Sequence, residues 1–204
     1  MKNFLALAFV LVASLTLAAE NIQLPAPQKT GGMPLMEALA KRATSRAFDS
    51  RELSPQQLSN LLWAGFGINR DNGKRTAPSA HNKQELDLYV LMKTGAYIYD
   101  AEKNLLTQIA AEDLRQLGAK TEAPVCLLFV ADLAKRNEKG DSAKAMATVD
   151  SGFISQNVYL FCASEGLATG YRIGGFDRPA LGAPLKLRPN LEIVAAQPVG
   201  YAKP

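Results

Sequence analysis

Cysteine and histidine are scarce in this chain of 204 residues, which holds two cysteines and one histidine. Two cysteines are too few for a disulfide scaffold or for a zinc site of four thiolates. The lone His81 excludes most histidine-based metal sites, and any Ser/His/Asp triad would depend on it alone. We therefore expect no bound metal.

Strong charge of one sign is also missing. The net charge is +4, charged residues make up 21% of the chain and apolar residues 48%, all close to globular averages. These values exclude a disordered or collagen-like chain. Without a run of Lys and Arg, we expect no nucleic-acid partner. A chain of this length can bury a full hydrophobic core, and it predicts one ordinary domain.

Residues 1–19 have the pattern of a secretory signal peptide. Lys2 is followed by an uncharged, mostly apolar stretch that ends in small residues at Ala18 and Ala19. The stretch is shorter than the roughly 20 residues of a membrane-spanning helix. We expect cleavage, export to the periplasm and no stable membrane anchor. The alternative is an uncleaved N-terminal anchor.

The remaining chain reads as a mixed α+β domain over residues 34–204, preceded by an extended arm at residues 20–33. Ser54 begins a sequence typical of a capped helix start, with Pro and Gln in the positions of a capping box. Leu86 to Met92 predicts a strand, and residues 95–99 predict its hairpin partner. A short amphipathic helix is expected over residues 111–117.

The second half of the chain carries the most apolar elements. Residues 124–131 are wholly apolar, as in a strand buried on both faces, and the last strand is expected near residues 192–196. Residues 142–165 predict the longest helix, whose apolar residues cover more than one face. Cys126 and Cys162 fall in these elements. We interpret both as buried small hydrophobes, with a disulfide as the alternative.

Two polar clusters and a paired glycine are candidates for function. Arg42, Thr44 and Arg46 offer two guanidiniums and a hydroxyl, a set that suits a phosphate dianion. The alternative is a solvated basic helix end. Residues 75–84 supply neutral amides and hydroxyls that suit the edge of a flat heterocycle, or form a polar surface turn. Residues 172–177 contain Gly-Gly, which lets a backbone approach a ligand or simply forms a turn.

In this order the clusters resemble the FMN-dependent nitroreductase family over residues 34–204. The family motif Arg-x-Ser-x-Arg-x-Phe is matched with Thr in place of Ser, and Pro-Ser-x-x-Asn-x-Gln is matched in full. Residues 95–100 resemble a segment of the SagB-type azoline dehydrogenase branch. The residues that carry the two motifs are Arg42, Thr44, Arg46, Phe48, Pro78, Ser79, Asn82 and Gln84.

The resemblance implies a nitroreductase-like α+β fold with an antiparallel or mixed sheet flanked by helices. It also implies FMN as cofactor and a homodimer built on the long helix. By resemblance, the flavin phosphate contacts are Arg42, Thr44, Arg46 and, more weakly, Lys203. The ring and ribityl contacts are Pro78, Ser79, Ala80, Asn82 and Gln84. Flavin N5 would face the backbone of Ile173, Gly174 and Gly175, and the substrate would face His81 and Phe176.

The implied activity is hydride transfer through flavin N5 to quinone-like or nitroaromatic acceptors by a ping-pong mechanism. The cofactor carries the chemistry, so no side-chain nucleophile is expected. Arg75 or Lys83 is the candidate for stabilising reduced flavin. His81 is alternatively an exposed loop residue. The competing hypothesis is an exported flavin-binding or small-molecule-binding protein that retains the fold, since NAD(P)H is not expected outside the cytoplasm.

Three departures from the family pattern bear on these expectations. Ala43 replaces a common second Arg, and Glu85-Leu86 follow Gln84 in place of the frequent Pro-Trp. The Lys-Tyr pair associated with azoline-oxidising members does not occur in the sequence. The missing pair makes modification of a peptide substrate a less favoured activity.

Overall fold

The computed structural model describes residues 20–203. The predicted signal peptide, residues 1–19, lies outside this range. Residues 20–33 contain one short strand. Among the described residues, no helix combines the length and the apolar character needed to cross a bilayer.

A seven-stranded antiparallel sheet forms the centre of the domain. Its strands, in chain order, are β1 (Ile22–Gln23), β2 (Leu86–Met92), β3 (Gly95–Asp100), β4 (Leu105–Ala110), β5 (Val125–Asp132), β6 (Ala168–Thr169) and β7 (Leu191–Gly200). Their order in space is β1-β4-β3-β2-β5-β7-β6, and every pairing is antiparallel. Helices pack against this sheet, so the α+β fold predicted from the sequence is confirmed.

The helices lie on both faces of the sheet. They are α1 (Leu35–Lys41), α2 (Pro55–Phe66), α3 (Arg115–Ala119), α4 (Gly140–Glu165) and α5 (Arg178–Gly182). One apolar cluster joins α2 and α4 to side chains such as Leu127 and Phe129 of β5. The opposite face of β5 packs Leu128 against the region of α3 and α5. Strand β5 is thus buried on both faces, as its apolar run predicts.

Several local predictions are confirmed. Ser54 caps α2: its Oγ accepts the Gln57 N–H at 3.2 Å, and Gln57 Oε1 accepts the Ser54 N–H at 3.1 Å. Helix α4 ends where Gly166 adopts a left-handed φ of 68°. Both cysteines are buried and free, and burial raises the pKa of the Cys126 thiol to about 12.

The helix predicted over residues 111–117 is misplaced. Strand β4, which the sequence analysis missed, runs to Ala110, and α3 begins only at Arg115. The reason is the weak pattern of β4, in which Leu106 is the one fully buried side chain. The last strand is also longer than expected. Strand β7 runs to Gly200 and pairs with β5 and β6.

Candidate functional site

The segment from Arg42 to Arg46, here named the arginine segment, lies between two parts of the C-terminal region. The Ser45 N–H donates to the Thr169 carbonyl at 2.9 Å, and the Lys203 N–H donates to the Ala47 carbonyl at 3.2 Å. The chain end therefore runs beside the arginine segment. The hydrogen bond from Lys203 to Ala47 thus places the backbone of Lys203 next to the arginine segment, although the two lie far apart in the sequence.

Gly170 forms the floor beneath the arginine segment. A Cβ at this position would lie 2.8 Å from the Ser45 carbonyl oxygen and 3.5 Å from the Thr44 methyl carbon. The first of these distances is below van der Waals contact, so a side chain at residue 170 would push the segment outward. A glycine here lets the two backbones approach each other closely.

The Tyr159 hydroxyl connects the arginine segment to Tyr171, the residue directly before the glycine loop, which is defined as residues 172–177. It lies 3.1 Å from Thr44 Oγ1 and accepts the Tyr171 N–H at 2.9 Å. The Arg42 guanidinium lies over the Tyr159 ring, 5.3 Å from its centroid. Sequence reasoning missed Tyr159, because an aromatic residue on a central helix carries no motif of its own.

The arginine segment has the chemistry of an anion site. Within residues 20–203, neither Arg42 nor Arg46 takes part in an ion pair. Arg46 and Thr44 are exposed and Arg42 is half-buried. Two guanidiniums without an internal counter-ion, next to a hydroxyl, fit a phosphate group.

The glycine loop presents bare backbone. Arg172 pairs with Ala196 through both backbone hydrogen bonds and donates from Nη1 to the Ala119 carbonyl at 2.8 Å. Gly175 has a left-handed φ of 83°, and a Cβ placed on Gly174 would meet nothing within 4 Å. The backbone at Gly174 is therefore open to a planar group.

The two apolar residues of this loop differ in placement. Ile173 is 56% exposed, whereas Phe176 is only 9% exposed and packs with Leu181 in the second apolar cluster. The Arg178 guanidinium covers the Phe176 ring at 4.4 Å from its centroid. Phe176 thus points into the core, and its substrate contact stays a prediction that this burial does not favour.

The loop from Pro78 to Glu85, here named the ring loop, has an unusual backbone. His81, Asn82 and Gln84 all have left-handed φ, at 53°, 52° and 45°. Such conformations are uncommon outside glycine and persist where surrounding contacts fix them. One such contact is the Ser79 Oγ, which accepts the Gln84 N–H at 3.0 Å.

The Gln84 side chain forms hydrogen bonds with residues in the ring loop and beside it. Its Oε1 accepts from Arg75 Nε at 3.2 Å, and its Nε2 donates to the Gly73 carbonyl and to Asn82 Oδ1, each at 3.2 Å. Ser79 and Gln84 therefore shape the ring loop. Pro78, His81 and Asn82 are exposed, whereas Ser79, Ala80 and Gln84 are half-buried, so the three exposed residues are the most accessible part of the predicted set.

Arg75 and Lys83, the candidates for stabilising reduced flavin, both have protein partners. Arg75 Nη1 donates to the Phe66 carbonyl at 2.9 Å, and burial lowers the pKa of Arg75. Lys83 Nζ donates to Asn137 Oδ1 at 3.2 Å. Lys83 is part of the ring loop, and Arg75 lies beside it, bound to Gln84.

A buried charge cluster lies under the ring loop. Arg136 Nη1 is 2.5 Å from Glu85 Oε1 and 3.5 Å from Asp150 Oδ2, and the three side chains are 0–2% exposed. The same Asp150 oxygen accepts the Ala80 N–H at 2.9 Å. No motif in the sequence indicates this cluster, because its members come from three separate elements.

The pKa directions in this cluster follow from burial and from the neighbouring charges. Burial raises the pKa of Asp150, and the nearby Glu85 carboxylate raises it further against the opposing Ala80 N–H and Arg136. For Arg136, burial favours the neutral form, but the carboxylates of Glu85 and Glu138 outweigh it and raise its pKa. Arg136 therefore keeps its charge in the interior.

The arginine segment and the ring loop contact opposite sides of α4. Nine positions separate Asp150, which binds the ring loop, from Tyr159, which binds the arginine segment. At about 3.6 residues per turn and 1.5 Å per residue, nine positions make roughly two and a half turns and about 13 Å. A single chain therefore presents its two polar clusters on opposite flanks of one helix.

An exposed apolar stripe runs along α4 between these flanks. Val149 is 56% exposed and Phe153 is 45% exposed, and the half-buried Leu160 continues the same face at helical spacing. The sequence predicted apolar residues on more than one face of this helix. In the described chain, one such face is in the core and the other is open.

Comparison with known proteins decides the family. The profile of the nitroreductase family matches residues 39–201, which is most of the chain. The chain belongs to the nitroreductase family. Its members are oxidoreductases that generally use a flavin, so the general class of activity predicted from the motifs is confirmed.

Individual relatives agree with this assignment. A candidate nitroreductase of Methanocaldococcus jannaschii is 29% identical over 171 residues, covering 76% of this chain and 84% of the relative. The crystal structure of a candidate nitroreductase from Ralstonia eutropha is 35% identical, with a TM-score of 0.83 and 90% of each chain covered. A candidate NAD(P)H:FMN oxidoreductase from Staphylococcus epidermidis has a TM-score of 0.62 at 15% identity and covers 87% and 92% of the two chains; it supports the fold alone.

Proposed function

We propose that this nitroreductase-family protein uses FMN to pass hydride to quinone-like or nitroaromatic acceptors by a ping-pong mechanism. The observation that supports the proposal is the Tyr159 hydroxyl, which joins the arginine segment to Tyr171, the residue directly before the glycine loop. A phosphate site and an open backbone amide are thereby fixed relative to each other. FMN, when bound, supplies the hydride chemistry.

Each part of the site has a distinct role under this proposal. Arg42, Thr44 and Arg46 bind the phosphate, with Lys203 adding positive charge at the same edge. The open N–H groups of the glycine loop donate toward flavin N5. These are preorganised donors, which cost little reorganisation when charge develops on the ring. The ring loop borders the flavin edge with Pro78, Ser79, Ala80, Asn82 and Gln84, and His81 faces the acceptor.

A homodimer would complete the site. The apolar stripe of Val149 and Phe153 lies between the two flanks of α4, so a second chain packed on it would border both polar clusters. Exposed apolar surface of this kind is typical of an interface between chains. We propose that two copies pair through α4 and that the flavin lies between them.

Localisation and branch are further parts of the proposal. A signal peptide at residues 1–19 would export the mature protein to the periplasm, where quinols are a more available donor class than NAD(P)H. The kinship with SagB-type dehydrogenases rests on residues 95–100, which form β3. The competing function is an exported flavin-binding protein without catalysis, favoured by the same compartment argument.

Flavin uptake tests the cofactor. Mature protein, residues 20–204, is titrated with FMN and with riboflavin while flavin fluorescence is followed. We expect FMN to bind and riboflavin, which lacks the phosphate, to bind at least about 10-fold more weakly, because charge-assisted hydrogen bonds contribute about 1.5–3 kcal/mol. Equal affinity would contradict the phosphate site, and no uptake of FMN would contradict the proposed function.

Anaerobic reduction separates the enzyme from the binding protein. The FMN complex is mixed with a quinol or with NAD(P)H, and bleaching of the flavin absorbance is recorded before and after adding a quinone or a nitroaromatic. Bleaching followed by recovery supports the enzyme. Failure with every donor favours the binding protein.

Sedimentation of one variant tests the dimer. Phe153→Glu places a carboxylate in the apolar stripe, and we expect it to yield monomers that bind FMN weakly. Thr107→Glu, at an exposed position of β4, is the matched control and should sediment like the unaltered protein. A dimer that survives Phe153→Glu would contradict pairing through α4.

A further inference from the structure

The two ends of the ring loop converge on one buried guanidinium. At its start, the Ala80 N–H is held by Asp150, whose oxygen lies 3.5 Å from Arg136 Nη1. At its end, Glu85 binds the same Nη1 at 2.5 Å. His81, Asn82 and Gln84, the residues with left-handed φ, all lie between these two anchor points.

The segment that carries Arg136 is itself fixed beneath the loop. The Asp132 N–H donates to the Glu85 carbonyl at 2.8 Å, and Lys135 Nζ donates to the Gln84 carbonyl at 3.2 Å. Arg136 follows directly, with its side chain fully buried. The end of β5 thus sets where the guanidinium lies, and the guanidinium sets where both loop ends lie.

Stability alone does not explain this arrangement. Glu85 Oε2 and Arg136 Nη2 are buried without a hydrogen-bond partner among the described residues. Buried polar atoms of this kind are costly, and buried ion pairs are often no more stable than apolar replacements of similar size. Exceptions to local stability rules concentrate at functional sites.

We propose that Arg136 is a positioning residue that holds the ring loop in the strained conformation in which it borders the bound ring. The proposal rests on the proposed function for the identity of the ring. Arg136 acts through Asp150 and Glu85 and touches neither cofactor nor substrate. Without this anchor, the residues with left-handed φ would relax to ordinary backbone and the loop would open.

Limited trypsin digestion of the flavin-free mature protein tests the anchoring. Lys83 lies in the ring loop, and Lys103, in the exposed turn between β3 and β4, is the internal control. Asp150→Ala removes the acceptor of the Ala80 N–H, and we expect cleavage after Lys83 to be about 10-fold faster with cleavage after Lys103 unchanged. Asp150→Asn keeps an acceptor oxygen and should resist trypsin like the unaltered protein.

Two outcomes would overturn the proposal. One is an unchanged rate after Lys83 in Asp150→Ala. The other is an equal acceleration after Lys83 and Lys103, which would show a general loss of stability. Arg136→Met is the direct variant and should open the loop further, but Asp150→Ala decides the result if Arg136→Met does not fold.

The visible circular dichroism of added FMN gives the second readout. We expect Asp150→Ala to alter the flavin bands and Asp150→Asn to show the bands of the unaltered protein. The reason is that these bands report the environment of the flavin ring, which the ring loop borders. Unaltered bands in Asp150→Ala would overturn the link between the loop and the ring. If the unaltered protein takes up no FMN, the proposed function fails, whereas the trypsin result still decides whether Arg136 anchors the loop.

Discussion

The arginine segment and the ring loop are both polar, but the chain holds them by different means. The arginine segment lies at the surface, and its two guanidiniums have no carboxylate partner within residues 20–203. The ring loop rests on a guanidinium and two carboxylates that are nearly inaccessible to water. One region keeps its charge available for a ligand, and the other uses buried charge to fix a backbone.

The two regions should therefore differ in what their charges contribute, ligand affinity in the arginine segment and stability in the buried cluster. Charges that await an anion contribute little to the fold, so their loss should affect ligand affinity. Charges that are paired in the interior contribute to the fold and to the loop geometry, so their loss should affect stability first.

The largest expected effect is on FMN affinity. Arg42→Ala combined with Arg46→Ala removes two charge-assisted contacts of about 1.5–3 kcal/mol each, so the Kd should rise by about 10²–10⁴-fold. Fluorescence titration measures it. Lys186→Ala with Arg188→Ala, two exposed cations outside the site, is the matched control and should leave the Kd unchanged. An unchanged Kd in the arginine variant would rule out the phosphate assignment.

The buried cluster should show the reverse pattern. Arg136→Met leaves Glu85 and Asp150 as uncompensated buried carboxylates, and we expect the free energy of unfolding to fall by about 3–5 kcal/mol. Urea denaturation of flavin-free protein measures it.

A solvated ion pair provides the control for Arg136→Met. Lys103 pairs with Asp100, and their side chains are 71% and 33% exposed, so Lys103→Met should cost only about 0–1 kcal/mol. The Arg42 and Arg46 variant should stay within about 0.5 kcal/mol of the unaltered protein. If Arg136→Met costs no more than Lys103→Met, the buried cluster does not stabilise the fold.

Tyr159→Phe tests whether the Tyr159 hydroxyl links the arginine segment to Tyr171, the residue directly before the glycine loop. The substitution deletes the hydroxyl that contacts Thr44 and the Tyr171 N–H. We expect the free energy of FMN binding to weaken by about 1–2 kcal/mol, which is roughly 5–30-fold in Kd. Tyr99→Phe removes a hydroxyl that binds Asn104 at 3.0 Å far along the sheet, and should cost stability without affecting the flavin. Equal FMN affinities for the two variants would disprove the connecting role.

The sequence predicts the parts of this molecule whose signal is local. The capping box of Ser54 and Gln57, the strand at Leu86–Met92 and the apolar run of β5 are each indicated by neighbouring residues, and the structure confirms them. Strand β4 was missed because its stability comes from pairing with β1 and β3 and not from its own apolar pattern.

In the candidate site, too, the residues that the sequence predicts are those with a local motif. Motifs of closely spaced residues point to Arg42, Thr44, Arg46 and the ring loop. They do not point to Tyr159 or Arg136, because Tyr159 binds Thr44 and Arg136 binds Glu85, and each of these partners is more than 40 positions away in the sequence. Burial of Phe176 was also beyond the sequence pattern, since a loop aromatic next to Gly-Gly can face either the core or the solvent.

Salt gives the smallest expected effect and the sharpest test of the comparison. Screening acts over about 10 Å at 0.1 M ionic strength and about 3 Å at 1 M, and it acts mainly on exposed charges. Raising NaCl from about 0.05 M to about 0.5 M should therefore weaken FMN binding by a factor of a few, because the arginine segment is exposed. The residual binding of the Arg42 and Arg46 variant should respond less. The stability lost in Arg136→Met should not depend on salt, because the cluster is buried. If salt reduced that loss as strongly as it weakens FMN binding, water would reach both regions, and the division between a ligand charge and a structural charge would be wrong.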